Sequence, residues 1–432
     1  MSESKVFSLE GKSLKLDTAE DIEPHIKALK ENEDVEEVRF LGNTLGIGAS
    51  EALAKVLETK KKLQVANFAD VFTGRLLSEI PQALSALLTS LLTLPNLYTV
   101  NLSDNAFGLN TQAPLVDFLS KHVPLRHLIL NNNGLGPAAG VLIADALTAL
   151  AEKKEAARKD GQEVPNLETV ICGRNRLENG SMAAWAKAYA AHTGVKEVKM
   201  VQNGIRSEGI THLLNNGFWH STKIEVLDLQ DNTFTATGAK ALANVVGNWP
   251  QIKDLGVGDC LLSGRGGIAF TSALQKGKNS KLEILRLEFN EINAKGVAGL
   301  ADALPKLPAL RRIELEGNKF DAEDPSIEKL REELEKRKDA SNGVGSDDET
   351  YWGIGDLDEL ESEDEDEEES EDEAQAGSDA EDEGVETQEK AARDIIADQQ
   401  AEDANVSQKQ DKDVDDLADT LAKTEIKSKP SA

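Results

Sequence analysis

Hydrophobic and polar residues alternate in short segments that recur along the first three quarters of the chain. Each segment follows the pattern L-x-x-L-x-L-x-x-N, with Val, Ile, Phe, Met, Ala or Cys also allowed at the leucine positions. Successive segments end 28 to 42 residues apart, and five of the nine steps are 28 residues long. A period near 28 residues is typical of long leucine-rich repeats, which have one strand and one helix per unit. Full matches end at Asn43, Asn105, Asn133, Asn175, Asn203, Asn232, Asn290 and Asn318, and imperfect ones end at Val71 and Cys260.

Each unit predicts one strand followed by one helix. Side chains alternate along a strand, so the leucines of L-x-L face a core and the residue between them faces outward. The terminal asparagine carries both a donor and an acceptor, which suits it to satisfy backbone groups where the chain leaves the strand. Apolar residues at helical spacing follow, as in PAAGVLIADALTAL, 137–150. The expected fold is an α/β leucine-rich-repeat horseshoe solenoid, with a parallel sheet inside and helices outside.

Both ends of the repeat array carry segments suited to act as caps. FSLEGKSLKL, 7–16, predicts a degenerate first strand. DPSIEKLREELEKRKD, 324–339, predicts a charged last helix with Asp324 as N-cap and Pro325 at its first position. Terminal units of a solenoid need a polar outer face because no neighbour covers them. We therefore expect a leucine-rich-repeat domain with terminal caps over residues 1–340.

The negative charge of the chain is concentrated after this domain. Residues 341–432 hold 33 acidic and 7 basic residues, a net of −26 out of −30, so the first 340 residues carry −4. The run ESEDEDEEESEDE, 361–373, repels itself and has no apolar residue to bury. Residues 341–385 are therefore expected to form an acidic disordered tail.

Two parts of this C-terminal region leave alternatives open. TYWGIGDLDEL, 350–360, mixes aromatic and acidic residues and is either a docking segment for a partner or a solvated linker. Residues 386–432 form a charged C-terminal segment. Within it, VDDLADTLAKTEI, 414–426, is either a short partner-binding amphipathic helix or a marginal free helix.

Composition excludes several classes of function. The near-neutral repeat domain lacks the basic face of a nucleic-acid binder. Two cysteines, Cys172 and Cys260, favour a reducing compartment, and the six histidines form no HxxxH or HExxH pair that would indicate a metal site. No apolar run is long enough for membrane insertion. We expect a monomeric protein-binding solenoid without a cofactor of its own.

The position just before each terminal asparagine forms a second row, whose identity the repeat does not require. We name these ten residues the rim row: Gly42, Asp70, Asp104, Asn132, Arg174, Gln202, Asp231, Asp259, Phe289 and Gly317. In LILNNNGLGP, 128–137, the repeat thus explains Asn133 and leaves Asn132 available for another role. Asn131 is interpreted as an ordinary exposed neighbour. The structural role assigned to Asn133 extends to the equivalent Asn105, Asn175, Asn203, Asn232, Asn290 and Asn318.

Two segments depart from the regular repeat and are candidates for partner binding. ADVFTGRLLSEIP, 69–81, lacks the terminal asparagine and has a lengthened loop, which is expected to display Arg75. For Arg75, spacing alone leaves a solvated side chain as an equal alternative. CGRNRLENGS, 172–181, places Arg174 and Arg176 where they could contact a partner's carboxylates or phosphates.

Nine segments carry a more specific signal than the repeat itself. They are EGKSLKLD, FTGR with the following EIP, LSDNAFG, DFLSKH, NNGLGP, CGRNRLENGSM, KMVQNGIR, VLDLQDNTFT and DCLLS. They run through most of residues 9–320 and closely resemble the fungal-type Ran GTPase-activating proteins. The acidic run and the closing LADTLAK are similar to the C-terminus of the same family.

The resemblance implies a cytoplasmic and perinuclear activator of the small GTPase Ran that supports nucleocytoplasmic transport. Such an activator has no self-contained active site, since Ran in its GTP form brings the GTP and Mg²⁺. Ran-binding accessory proteins are further expected partners. The position of the family's key catalytic asparagine is Asn132, and Arg75 is placed near the nucleotide without being an essential arginine finger. We hypothesise that Asn132 orients the GTPase's own catalytic glutamine, because an amide both donates and accepts hydrogen bonds.

The remaining partner-binding residues are expected beside Asn132 on the same edge of the horseshoe. This set comprises Arg75, Asp104, Arg174, Arg176 and Gln202. The alternative is a non-catalytic leucine-rich-repeat binding module or inhibitor. The two readings differ in one result, because only an activator changes the rate of GTP hydrolysis by the protein it binds.

Overall fold

The computed structural model describes residues 5–341, 344–345, 348 and 350–361. The strands are β1 Val6–Ser8, β2 Lys15–Leu16, β3 Glu37–Arg39, β4 Thr44–Leu45, β5 Val65–Asn67, β6 Thr99–Asn101, β7 His127–Ile129, β8 Thr169–Ile171, β9 Glu197–Lys199, β10 Val226–Asp228, β11 Asp254–Gly256, β12 Ile284–Arg286, β13 Arg312–Glu314 and β14 Gly353–Ile354. The helices are α1 Ala19–Glu31, α2 Ile47–Leu57, α3 Ile80–Leu91, α4 Gln112–Leu119, α5 Gly136–Lys159, α6 Met182–Ala191, α7 Ser207–His212, α8 Thr235–Val245, α9 Ser263–Leu274, α10 Ala294–Ala303 and α11 Pro325–Ala340.

One parallel sheet runs the length of the described residues. Its order is β1-β3-β5-β6 and then β7 to β14 in sequence, while β2 pairs with β4 in a small side sheet. Equivalent repeat positions face each other, so Leu128 of β7 pairs with Val100 of β6 and Val170 of β8. The α/β leucine-rich-repeat horseshoe that the sequence predicts is confirmed.

Packing follows the alternation of the strands. The middle residue of each strand, such as Leu128, is buried against the helices, whereas His127 and Ile129 on either side are half-buried on the open face of the sheet. Each helix turns its apolar stripe toward the same core, as α10 does with Val297 and Leu300. Burial of one such leucine contributes roughly 1.5–3 kcal/mol relative to an exposed one. The sheet face opposite the helices therefore remains open to solvent or to a partner.

The terminal asparagines form a row beneath the strand ends, interrupted at Val71 and Cys260, which we name the asparagine ladder. All seven that the pattern assigns to the fold are buried: Asn105, Asn133, Asn175, Asn203, Asn232, Asn290 and Asn318. The Oδ1 atom of Asn133 accepts from the Asn105 backbone N–H at 2.9 Å, and its Nδ2 donates to the carbonyls of Leu130 at 3.0 Å and Leu102 at 3.1 Å. Each amide thus joins its own strand end to the preceding repeat. It provides hydrogen-bond partners to buried backbone groups that water cannot reach.

The longest step between repeats contains the longest helix. Helix α5 covers 24 residues and carries Lys154 into a buried position near its end. The Lys154 ammonium donates to the carbonyls of Val123 at 2.6 Å, Leu125 at 2.7 Å and Pro165 at 2.9 Å. Burial lowers the Lys154 pKa to about 7. None of the helices in the described part of the chain is both long and apolar enough to cross a membrane.

The C-terminal end of the array lies further along the chain than residue 340. Strand β14 adds to β13, and the Arg311 guanidinium lies 3.7 Å from the centre of the Tyr351 ring. Arg311 also donates to the Tyr351 carbonyl at 2.6 Å. The segment 350–360 therefore forms the last unit of the described sheet, with a strand of two residues. The repeat domain extends to this segment, so the domain boundary predicted at residue 340 is too early. The predicted tail after Glu361, with residues 386–432 and the helix at 414–426, lies outside the described residues.

Candidate functional site

The rim row shares one backbone conformation. Every residue in it has a positive φ: Gly42 74°, Asp70 47°, Asp104 61°, Asn132 53°, Arg174 56°, Gln202 54°, Asp231 56°, Asp259 50°, Phe289 52° and Gly317 63°. The N–H of each rim residue donates to a carbonyl of the next repeat, as Asn132 does to Gly173 at 2.9 Å. This left-handed turn suits Gly, Asn and Asp, so Arg174 and Gln202 hold it at a cost of about 1 kcal/mol each. Such strain is retained where the side chain serves a purpose.

The three consecutive asparagines have three different environments. Asn133 is buried in the ladder and Asn132 is exposed. Asn131 is half-buried, and its Oδ1 accepts from the Gly173 N–H at 2.6 Å, while its own N–H donates to Ser103 Oγ at 3.1 Å. The interpretation of Asn131 as an ordinary exposed neighbour is therefore wrong, because its side chain ties the turn to the next strand. Of the three, Asn132 is the one that presents its side chain outward.

The orientation of the Asn132 amide is set by Asp104, which precedes it in the rim row. Asn132 Nδ2 donates to Asp104 Oδ1 at 2.8 Å. A carboxylate only accepts hydrogen bonds, so the nitrogen of the amide must face it. The amide oxygen then faces away, and among the described residues no donor meets it. Asn132 consequently offers an acceptor at the edge of the horseshoe.

The lengthened loop predicts an exposed Arg75 side chain, but in the structure this side chain is buried. Its side chain is 6% exposed and forms an ion pair with Asp17. The guanidinium also donates to Thr44 Oγ1 at 2.7 Å, to the Thr44 carbonyl at 2.8 Å and to the Leu16 carbonyl at 3.2 Å. The expectation of a displayed arginine is therefore wrong for this structure, because the guanidinium is held by the first strands of the array. The next residue, Leu76, is instead 68% exposed.

Three further predicted partner-binding residues lie on the surface in the repeats after Asn132. Arg174, Arg176 and Gln202 are all exposed, and no carboxylate in the described part of the chain pairs with either arginine. Arg206 is likewise exposed and follows the next ladder asparagine. Sequence reasoning missed Arg206, which lies three residues after Asn203 and is the N-cap residue of α7. The structure thus groups basic side chains beside the Asp104–Asn132 pair.

Acidic side chains dominate the other half of the horseshoe. On the open face of the sheet, Arg286 lies 2.6 Å from Asp254 Oδ1 and 3.8 Å from Asp228 Oδ2. Burial raises the pKa of Asp231 in the rim row, and the nearby Asp259 raises it further. Asp231 and Asp259 are neighbours in the rim row, whereas Asp228, Asp254 and Arg286 come from separate repeats and were not singled out from the sequence. Acidic side chains thus recur in the repeats around β10 and β11, on the open face and in the rim row.

No resident metal site is evident beside these residues. Across residues 5–341 and the described positions up to 361, no group of three or more His, Cys, Asp or Glu side chains is placed to hold a metal ion. Cys172 and Cys260 are buried, and burial raises the pKa of both thiols, that of Cys172 to about 12. A thiol with so high a pKa is a poor nucleophile. Neither buried thiol therefore adds a reactive group to the rim.

One family model agrees with the repeat architecture. A family model described as Leucine Rich repeat matches residues 220–243 and 278–301. Among solved structures, an internalin from Listeria monocytogenes aligns at 17% identity and a TM-score of 0.37, over 69% of this chain and 78% of that chain.

Proteins named as activators of Ran match much more of the sequence. Ran GTPase-activating protein 1 of Saccharomyces cerevisiae is 40% identical over 342 residues, which are 77% of this chain and 83% of the yeast protein. The Ran GTPase-activating protein of Drosophila melanogaster is 32% identical over 78% of this chain and 56% of its own length. Ran GTPase-activating protein 1 of Xenopus laevis is 40% identical over 46% of this chain and 34% of its own length. Because the yeast protein is 40% identical and most of its length is covered, the chain belongs to the Ran GTPase-activating protein family.

Proposed function

We propose that this protein accelerates GTP hydrolysis by the small GTPase Ran and acts by orienting the catalytic glutamine of Ran through Asn132. The observation that carries the proposal is the Asn132 amide, which is exposed at the rim with its oxygen free of donors from the described residues. An amide oxygen can accept from the side-chain N–H of a glutamine and hold it in one orientation. Orientation is a large source of catalysis when the attacking water must be placed in line with a phosphate.

The arrangement of Arg75 supports a mechanism without an essential arginine finger. A finger must bring its charge to the transferring phosphoryl group of the partner. In this structure, the Arg75 guanidinium is instead satisfied by Asp17, Thr44 and Leu16. We infer that Arg75 fixes the loop that presents Leu76 and so contributes to docking. Arg174, Arg176 and Gln202, with their exposed side chains, would contact the surface of Ran.

The proposal extends to the setting in which this activity operates. The partner is Ran in its GTP form, which carries the GTP and the Mg²⁺, so this protein needs no cofactor of its own. It acts as a monomer in the cytoplasm and perinuclear region, where it supports nucleocytoplasmic transport, and Ran-binding accessory proteins assist it. A protein without a cofactor of its own is what an activator requires when the GTP, the Mg²⁺ and the catalytic glutamine all belong to its partner.

The test is single-turnover GTP hydrolysis by Ran in the presence of saturating amounts of each variant. Asn132→Ala should lower the accelerated rate by about a hundred-fold, because the glutamine is no longer held. Binding of Ran should persist, since one exposed side chain is a small part of the interface. Arg75→Ala should lower the rate at saturation by less than about ten-fold.

The matched control is Asp259→Ala, which changes an exposed residue with the same positive φ in the same row. It should leave the rate at saturation unchanged. An Asn132→Ala variant with full activity, or an inactive Arg75→Ala variant that still binds, would overturn the orientation mechanism. Binding of Ran by the unaltered protein without any acceleration would instead establish the non-catalytic binding module or inhibitor.

A further inference from the structure

The Asp104–Asn132 pair differs from the rest of the rim row. The two residues occupy equivalent positions in consecutive repeats, and their side chains bond at 2.8 Å. Among the rim-row residues in the described part of the chain, this is the one hydrogen bond between neighbouring rim side chains. The carboxylate of Asp70, one repeat earlier, is engaged instead by the hydroxyl of Thr73 within its own loop.

The backbone holds Asp104 in place before any partner binds. Its φ of 61° directs the side chain along the rim, and its N–H donates to the Asn131 carbonyl at 2.9 Å. Ladder residue Asn105 follows at once and is buried, which anchors the turn from the other side. The backbone of the turn that carries Asp104 is therefore held on both sides, and it places the exposed carboxylate within hydrogen-bond distance of the Asn132 amide.

An exposed asparagine without such a neighbour has two useful orientations. Rotation of its amide by half a turn exchanges a donor for an acceptor. A charge-assisted hydrogen bond to a carboxylate is stronger than one between neutral groups and selects the orientation with the nitrogen inward. It also reduces the rotamer freedom that would otherwise be lost on binding the partner.

We propose that Asp104 is a positioning residue that holds Asn132 as a hydrogen-bond acceptor toward Ran. This inference rests on the proposed role of Asn132 and makes it more specific, because it states which end of the amide acts. The partner group must then be a donor, as the side-chain amide N–H of a glutamine is. Asp104 acts through Asn132 and is not required to touch the reacting atoms, in contrast to the partner-binding role that its rim position predicts.

The first experiment removes the carboxylate while keeping the turn. Asp104→Gly retains a residue that favours positive φ, and Asp259→Gly is the matched control at the same row position. In single-turnover hydrolysis at saturation, Asp104→Gly should be about ten-fold slower, with its affinity for Ran changed by less than about three-fold. Asp259→Gly should keep the rate of the unaltered protein. An equal loss in both variants would show that the effect belongs to the turn and would overturn the inference.

A second experiment reverses the pair. Asn132→Asp places two carboxylates side by side, so the rate should fall strongly through repulsion. Adding Asp104→Asn restores a donor facing an acceptor, still with an oxygen pointing outward from position 132. The double variant should be at least about five-fold faster than Asn132→Asp alone, because the coupling between contacting residues is not additive. A double variant that is no faster would contradict the positioning role.

The two proposals fail in different ways. If Asn132→Ala keeps the full rate, the proposed function of Asn132 fails and Asp104 has nothing to position. If Asn132→Ala loses the rate while Asp104→Gly keeps it, the role of Asn132 stands and the inference about Asp104 alone is overturned. Thermal unfolding of each variant separates both results from a loss of folded protein.

Discussion

Asn132 and Asn133 are consecutive in the chain but belong to two different rows of the horseshoe. Asn133 is fully buried in the asparagine ladder and pairs with backbone groups of two repeats, whereas Asn132 is exposed and pairs with one side chain. The ladder repeats one residue type because every unit presents the same backbone groups to it. The rim row varies from Asp to Arg to Phe because the fold fixes its backbone and leaves its side chains undetermined. The comparison separates residues that hold the protein together from residues that can act on a partner.

The largest change in stability is expected for a substitution that breaks the asparagine ladder. Asn133→Ala removes the acceptor for the Asn105 N–H, which is left buried without a partner. The Leu102 and Leu130 carbonyls lose one of their donors and keep another, the side-chain amides of Asn105 and Asn175. The unpaired N–H costs about 1–3 kcal/mol and the weaker pairing of the two carbonyls adds to it, so the free energy of unfolding should fall by roughly 2–4 kcal/mol. Chemical denaturation measures the change.

The control for this prediction is the neighbouring Asn132→Gly, which keeps the turn and removes an exposed side chain. Its free energy of unfolding should change by less than about 1 kcal/mol. Similar losses in the two variants would erase the distinction between the rows. Any Asn133→Ala protein that remains folded should retain its action on the GTPase, since its rim is intact.

A smaller change in stability is expected for a substitution that completes the asparagine ladder at Cys260, where it is interrupted. Cys260 stands in the asparagine column, where its thiol lies 3.2 Å from the Gly258 carbonyl and 3.5 Å from the Leu229 carbonyl. Cys260→Asn would supply an amide nitrogen to these carbonyls and an oxygen toward Asn232. The free energy of unfolding should rise by about 1 kcal/mol. Cys260→Ser, which is polar but too short to bridge the repeats, is the control, and a less stable Cys260→Asn protein would contradict the prediction.

The smallest effect concerns the strain in the rim row. Arg174 holds a φ of 56° that asparagine adopts more readily. Arg174→Asn should therefore raise the free energy of unfolding by about 0.5 kcal/mol and weaken the binding of Ran, measured by calorimetry. Arg176 shares this conformation but lies outside the row, so Arg176→Asn tests whether relief of strain alone accounts for the gain. A stabilised Arg174→Asn protein with unchanged affinity would show that this arginine is not retained for binding.

The sequence was sufficient for the repeat, the fold and the separation of the two rows, because these follow from a period that recurs along the chain. The environment of Arg75 could not be predicted, since its partner Asp17 is 58 residues away and belongs to an irregular first unit. The orientation of Asn132 likewise depends on the neighbouring repeat, which a pattern read one unit at a time does not include. Strand β14 was missed because it has only two residues and no terminal asparagine.

Strand β14 also has a consequence for the behaviour of the protein at high concentration. A parallel sheet built from stacked repeats has an open edge at each end, and such an edge can pair with the edge of another molecule. Here the last strand is very short, begins at a glycine and is followed by Asp356, Asp358 and Glu359 on the surface. Short, charged edge strands discourage pairing between chains. We therefore expect the segment that completes the described sheet also to disfavour end-to-end association of the solenoid.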